Sequence, residues 1–230
     1  MEQHASGHFE YGAMEIDHLQ NHDPLLGAVI DRMGRIERAV IPDLLTALIK
    51  SIVAQQISNA AAATVWRRLQ ALLGDFSPLR ITQQSLTDLK SCGLSQRKAV
   101  WIQHLGHEVA SGGLDLPALY ALPDAAVIQT LSSLPGVGVW TAEMLLIFAL
   151  GRPDVVSWGD QAIRRGMKRL YGLETLSKAQ FMDYRERYAP YGTVASLYLW
   201  AVAGEPAETL PDSAPDAVPA SQSFPTKPIA

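Results

Sequence analysis

The chain has 230 residues, a mass of 25.0 kDa, 48% hydrophobic residues and a formal net charge of −4. That length supports a buried core in one domain or two small lobes, but no run approaches the ~18 uninterrupted apolar residues of a membrane helix. The N-terminus has neither the basic nor the apolar region of an export signal, so the cytosol is the expected compartment. A single cysteine, Cys92, excludes an internal disulfide framework and any site built from several thiolates. The charge is unevenly spread. Residues 1–23 carry −5, residues 24–200 carry +4 and residues 201–230 carry −3, so the acidic total leaves room for a basic, phosphate-binding face.

In chain order, residues 1–15 show no apolar periodicity and are expected to be disordered. Leu44, Leu45, Leu48, Ile49, Ile52 and Val53 form one buried stripe of a helix begun at Pro42. Ser58 is placed to cap the next helix, which packs Val65, Leu69, Leu72 and Leu73 and leaves Arg67 and Arg68 in water. Further helical runs fall at about 85–91, 95–111, 123–131, 139–150, 160–171, 178–188 and 192–203, punctuated by Gly and Pro. No segment alternates with period two, and there is no internal repeat. The expected class is all-α. Residues 205–230 hold six prolines among Ala, Ser and acids, a composition expected to stay disordered.

The run Leu134-Pro135-Gly136-Val137-Gly138-Val139-Trp140-Thr141-Ala142 reads as a hairpin between two helices. Pro135 fixes φ at a turn, while Gly136 and Gly138 are expected to take positive φ and bring bare N–H groups to a surface. The apolar run from Met144 to Leu150 continues as a helix, so these groups sit at a helix N-terminus that favours an anion. The plain alternative is a Gly-rich loop between packed helices. Downstream, Ser157-Trp158-Gly159-Asp160-Gln161-Ala162-Ile163 presents a lone acid, Asp160, whose ordinary role would be an N-cap. His104 and His107 lack a third ligand, which argues against zinc. Trp158 and Cys92 suggest no role.

Four stretches together carry a resemblance: the hairpin run with Asp160, Ile52 to Ser58, Cys92 to Ala99, and Tyr188 to Ser196. They resemble the 3-methyladenine DNA glycosylase II branch of the helix-hairpin-helix DNA glycosylases, from about Ile16 to Gly204. The resemblance implies one domain over 16–204, made of two helical lobes with a cleft between them. One lobe would span about 46–149, and the other would combine 16–45 with 150–204. It looks like a short form, without the N-terminal β-rich domain of larger bacterial members.

The resemblance makes Asp160 the catalytic carboxylate, stabilising oxocarbenium charge as an N-glycosidic bond breaks; a simple N-cap is the alternative. Trp140 and Trp200 would line a base pocket and attract a cationic alkylpurine, or else serve as core residues. Met144 and Gln161 stand where the family has pocket tyrosines. Trp140 also stands where strand-cutting relatives carry a Schiff-base lysine, implying a monofunctional enzyme. For DNA binding, Gly136, Gly138 and Thr141 would meet a phosphate. Gln55 and Gln56 lie at an exposed turn, Gln56 as the wedge replacing the extruded base, and Arg97 and Lys98 would contact phosphate; solvated side chains are the alternative for all four. The backbone carbonyls of Ser132, Leu134 and Val137 would hold Na+ or K+, with no other cofactor and no iron–sulfur cluster.

The expected activity is release of alkylated purines such as 3-methyladenine from damaged duplex DNA in base excision repair, leaving an abasic site. The enzyme would act as a monomer, nucleoid-associated if bacterial. The rivals are a glycosylase for deaminated or oxidised bases on the same fold and a non-catalytic helix-hairpin-helix DNA-binding module.

Overall fold

Thirteen helices and no strand make up residues 7–205, the part of the chain described by the computed structural model. They are α1 (Ala13–His22), α2 (Pro24–Met33), α3 (Leu44–Ala54), α4 (Asn59–Leu73), α5 (Pro78–Thr82), α6 (Leu86–Ser91) and α7 (Gln96–Ser111). α8 (Leu116–Leu119), α9 (Asp124–Ser132), α10 (Val139–Phe148), α11 (Gln161–Leu170), α12 (Lys178–Tyr188) and α13 (Gly192–Gly204) follow. The all-α expectation holds. Most helices start where a short polar side chain accepts a backbone N–H: Asp43, Ser58, Ser95, Asp160 and Ser177 each do so. None of these helices is long and apolar enough to cross a membrane.

Two hydrophobic clusters divide the buried residues. One runs from Leu44 to Val155 and contains the buried faces of α3, α4, α7, α9 and α10. The other joins Phe9 to Val40 with Val156 to Val202, so the chain leaves this lobe and returns to it. The helices α11 and α13 cross closely in the second lobe: a Cβ on Gly166 would lie 2.0 Å from the carbonyl oxygen of Leu199. This close crossing fixes the N-terminus of α11, which begins at Asp160. Trp200 packs against both clusters and stacks on Phe148 with ring centroids 5.6 Å apart.

The expectation of disorder over 1–15 is corrected for residues 7–15; residues 1–6 and 206–230 lie outside the described residues. Phe9 and Tyr11 are buried, Phe9 N–H donates to the Arg38 carbonyl at 2.8 Å, and Val40 N–H donates to that of Gly7 at 3.0 Å. Two aromatics in a short extended segment are enough to anchor it, although they leave too little pattern for a periodicity to show. Glu205, expected to begin the tail, pairs with Arg32 at 2.6 Å. The helices α1 and α2 also precede the first run read from the sequence. Only Leu19 of α1 is buried, so its apolar stripe is thin.

Candidate active site

The hairpin joins α9 to α10. Its turn is closed by Val137 N–H donating to the Leu134 carbonyl at 3.1 Å, with Gly136 at φ +84°. A Cβ on Gly136 would lie 2.3 Å from Cε3 of Trp101, so both backbone and packing require glycine there. Gly138 corrects the expectation of positive φ: it is extended at φ −94°, ψ 172°, the N-cap position of α10. Nothing lies within 4 Å of where its Cβ would be, so its bare backbone faces open space. Among the described residues the N–H groups of Gly136 and Gly138 have no backbone acceptor, and the carbonyls of Ser132 and Val137 accept no backbone hydrogen bond.

Two neighbouring turns are tied to this hairpin. Gln55 Nε2 donates to the Gly136 carbonyl at 2.7 Å, and Lys98 Nζ donates to the carbonyls of Val53 and Gln55 at 2.9 and 2.6 Å. The Lys98 ammonium thus satisfies orphan carbonyls at the end of α3 rather than facing outward, and its burial lowers its pKa from the ordinary lysine value. Gln55 is similarly committed. Gln56 is exposed and left-handed at φ 57°, the one non-glycine residue with positive φ among those described. Arg97 is exposed, with its guanidinium 4.9 Å from the centroid of Trp101. Thr141, expected beside a phosphate, is buried within α10 at 8% exposure.

Asp160 stands at the N-terminus of α11 with 7% of its surface exposed. Its Oδ1 accepts from the N–H groups of Ala162 and Ile163 at 2.8 and 2.9 Å, and its Oδ2 accepts from Trp140 Nε1 at 2.9 Å. Asp160 is the N-cap that its position suggested: one oxygen caps the helix while the other meets an indole in the first turn of α10. Trp140 is 48% exposed. The catalytic candidate and the hairpin are joined by that single turn of helix.

Glu143 and Ser157 were not singled out from the sequence. Ser157 Oγ donates to the Glu143 carboxylate, so α10 grips the loop before Asp160 at a second point. Burial pushes the Glu143 carboxyl above its ordinary value, the hydrogen bond from Ser157 opposes this and the charge of Asp160 adds to it. The signal available was spacing: Glu143 lies one turn after Trp140, so both share a face. Trp140, Met144 and Phe148 continue that face at i, i+4 and i+8, and all three are partly or largely exposed. Trp200, the other expected pocket aromatic, meets this face at Phe148. Trp158 packs edge-on to Phe181 and lies under Arg164, within the second lobe. A cavity of about 1150 Å³ lies between the lobes, lined by Tyr11, Leu44, Leu116, Leu150 and Val194 among others, but none of Asp160, Trp140 and Trp200 lines it. Asp160 and Trp200 instead border the partly exposed face of α10, at Trp140 and Phe148.

Residues 49–190 match the HhH-GPD superfamily of base excision DNA repair proteins. The chain belongs to this superfamily. It is similar to DNA-3-methyladenine glycosylase 1 of Schizosaccharomyces pombe, 32% identical over 158 residues, covering 66% of this chain and 69% of that protein. Among solved structures it is similar to the DNA-3-methyladenine glycosidase of Bacillus halodurans, with a TM-score of 0.79 and 36% identity, over 88% of this chain and 94% of that one. The S. pombe 3-methyladenine DNA glycosylase in complex with abasic DNA gives a TM-score of 0.71 at 28% identity, over 82% of this chain and 95% of that one. Within the superfamily match lie the hairpin, both glutamines, Lys98, Trp140 and Asp160; Trp200 lies just beyond it.

Proposed function

We propose that the chain is a monofunctional DNA glycosylase that releases alkylated purines, 3-methyladenine and its relatives, from duplex DNA. The observation that carries this reading is Asp160, a largely buried carboxylate with both oxygens held by N–H donors beside an exposed indole. A fixed anion at that place stabilises the positive charge that develops on the sugar, and it orients the attacking water. A pure DNA-binding module gains nothing from an anion there. The flipped base leaves the stack at a cost of a few kcal/mol, and Gln56, held out at the turn after α3, fills the gap. The hairpin supplies the phosphate anchor through the N–H groups of Gly136 and Gly138. Arg97 reinforces it once its guanidinium leaves Trp101.

Strand cleavage through a Schiff base needs an amine beside the sugar. By its resemblance to strand-cutting relatives, the hairpin has Trp140 where they carry that amine, and Lys98 is engaged by two carbonyls. The carbonyls of Ser132, Leu134 and Val137 fit a monovalent cation: two have no backbone donor, and the third keeps a lone pair beyond its turn bond. Such an ion would rigidify the hairpin. Duplex DNA is the partner, and one copy of the chain is sufficient.

The test is chromatography of bases released from methylated duplex DNA, followed by alkali and borohydride arms. Methylated purines should appear, the product strand should break only in alkali, and borohydride should trap no adduct. Release of deaminated or oxidised bases alone would favour the rival glycosylase, and no release would leave a binding module.

A further inference from the structure

Outside the groups already used, an exposed cation stands at the Phe148 end of the α10 face. Arg38 is exposed, and its guanidinium lies 5.3 Å from the Phe148 ring centroid and 5.8 Å from that of Trp200. Its carbonyl accepts Phe9 N–H at 2.8 Å, and three residues on, Ile41 N–H donates to the Phe148 carbonyl at 2.7 Å, which holds this segment against the end of α10. No carboxylate among the described residues pairs with it. The side chain therefore has a fixed root, a free end and one contact, the stacked pair Phe148–Trp200.

That pair sits at the far end of the Trp140–Met144–Phe148 face. At 1.5 Å per residue, Phe148 lies about 12 Å along α10 from Trp140. Side chains on a helix lean toward its N-terminus, so Phe148 and the Trp200 ring stacked on it lean toward a base held beside Asp160. Electron-rich rings are what attract a cationic base, and here a guanidinium already occupies them.

We propose that Arg38 is a specificity-determining residue of the base site, counter-selecting cationic bases relative to neutral ones. This rests on the glycosylase reading above. A cationic alkylpurine must push the guanidinium off the aromatic pair or remain beside a like charge. A neutral base meets no such repulsion, and its ring nitrogens and exocyclic carbonyl can accept from the guanidinium. The wild-type enzyme thus releases both kinds of base, with the gap between them narrower than bare aromatic walls would give.

The experiment measures single-turnover release from duplexes holding one N7-methylguanine, which is cationic, or one hypoxanthine, which is neutral. Wild type is compared with R38A, R38Q and R38K after a thermal melt confirms folding. The cationic-to-neutral rate ratio should rise about three- to fivefold in R38A and R38Q, the size of an exposed cation–π contact. It should stay at the wild-type value in R38K, which keeps the charge. An unchanged or falling ratio in R38A and R38Q overturns the inference, as does a ratio that rises equally in R38K. Loss of folding in both neutral variants also overturns it, because the role would then be structural. Release of the cationic base alone by wild type overturns it too. Wild type that releases 3-methyladenine from methylated duplex but neither of these two bases overturns the inference, whereas release of no base from any of the three substrates overturns the glycosylase reading itself.

Discussion

Asp160→Asn isolates charge from shape. Asparagine keeps a carbonyl oxygen for the Ala162 and Ile163 N–H groups, and it caps helices about as well as aspartate, so folding stability should change by less than about 0.5 kcal/mol. On the other side its amide N–H₂ replaces Oδ2 and faces the donor Trp140 Nε1, 2.9 Å away in the wild type. Two donors repel, but Trp140 is 48% exposed and can turn into water at little cost. Removing an electrostatic stabiliser of this kind slows chemistry by about 10²–10³-fold. DNA affinity should hold or rise, because a negative charge facing phosphates has gone. Single-turnover base release, a binding titration and a thermal melt on one preparation separate the three quantities. Asp160→Ala gives the contrast: it also loses the cap, costing about 1 kcal/mol and about 2–4 °C in Tm. Asp160→Asn releasing bases near the wild-type rate would refute the assignment of the carboxylate to catalysis.

The two hairpin glycines should behave oppositely. G136A places a Cβ into Trp101 and should destabilise the fold by about 3 kcal/mol in denaturant titrations, whereas G138A should melt near wild type yet weaken damaged and undamaged duplex binding alike. Q56G relieves a left-handed side-chain residue, so its Tm should rise about 2–4 °C while base release slows; a rise in both would remove Gln56 from the wedge role. E143Q should gain stability relative to wild type as pH rises. The folded Glu143 holds its proton more tightly than the unfolded chain does, so the stability this contributes is present below the ordinary glutamate value and lost as pH climbs through the raised one. Melts at about pH 4 and about pH 7 should therefore show the Tm difference moving in favour of E143Q.

The helices were legible wherever a stripe was long or a cap was polar: Ser58, Ser95, Ser177 and Asp160 all start helices within a residue or so of where the pattern puts them. The segment carrying Phe9 and Tyr11 was not legible, because its order comes from pairing with Arg38 and Val40, residues about thirty positions away. Around the site, residue type misled where a side chain is used internally. A lysine at a turn suggests phosphate, yet Lys98 is consumed by the last carbonyls of α3. Gly138 looked like a conformational requirement, but its backbone is extended and has open space in front of it. Glu143 and Arg38 escaped because their meaning lies in pairings with Ser157 and with the Phe148–Trp200 stack, which no local pattern contains.

The helix α10 serves as a ruler. Its leading end carries the bare hairpin backbone, its first turn holds the indole on Asp160, and its last residue, Phe148, stacks on Trp200. Each residue of an α-helix advances 1.5 Å and turns about 100°. One residue inserted between Trp140 and Phe148 would swing the aromatic end away from the carboxylate while leaving the helix itself well formed. The site can therefore accept many side-chain exchanges along this rod but no change in its length. On the proposed glycosylase reading, substrate range is tuned by what the rod carries, and the reaction is kept by how many residues it counts.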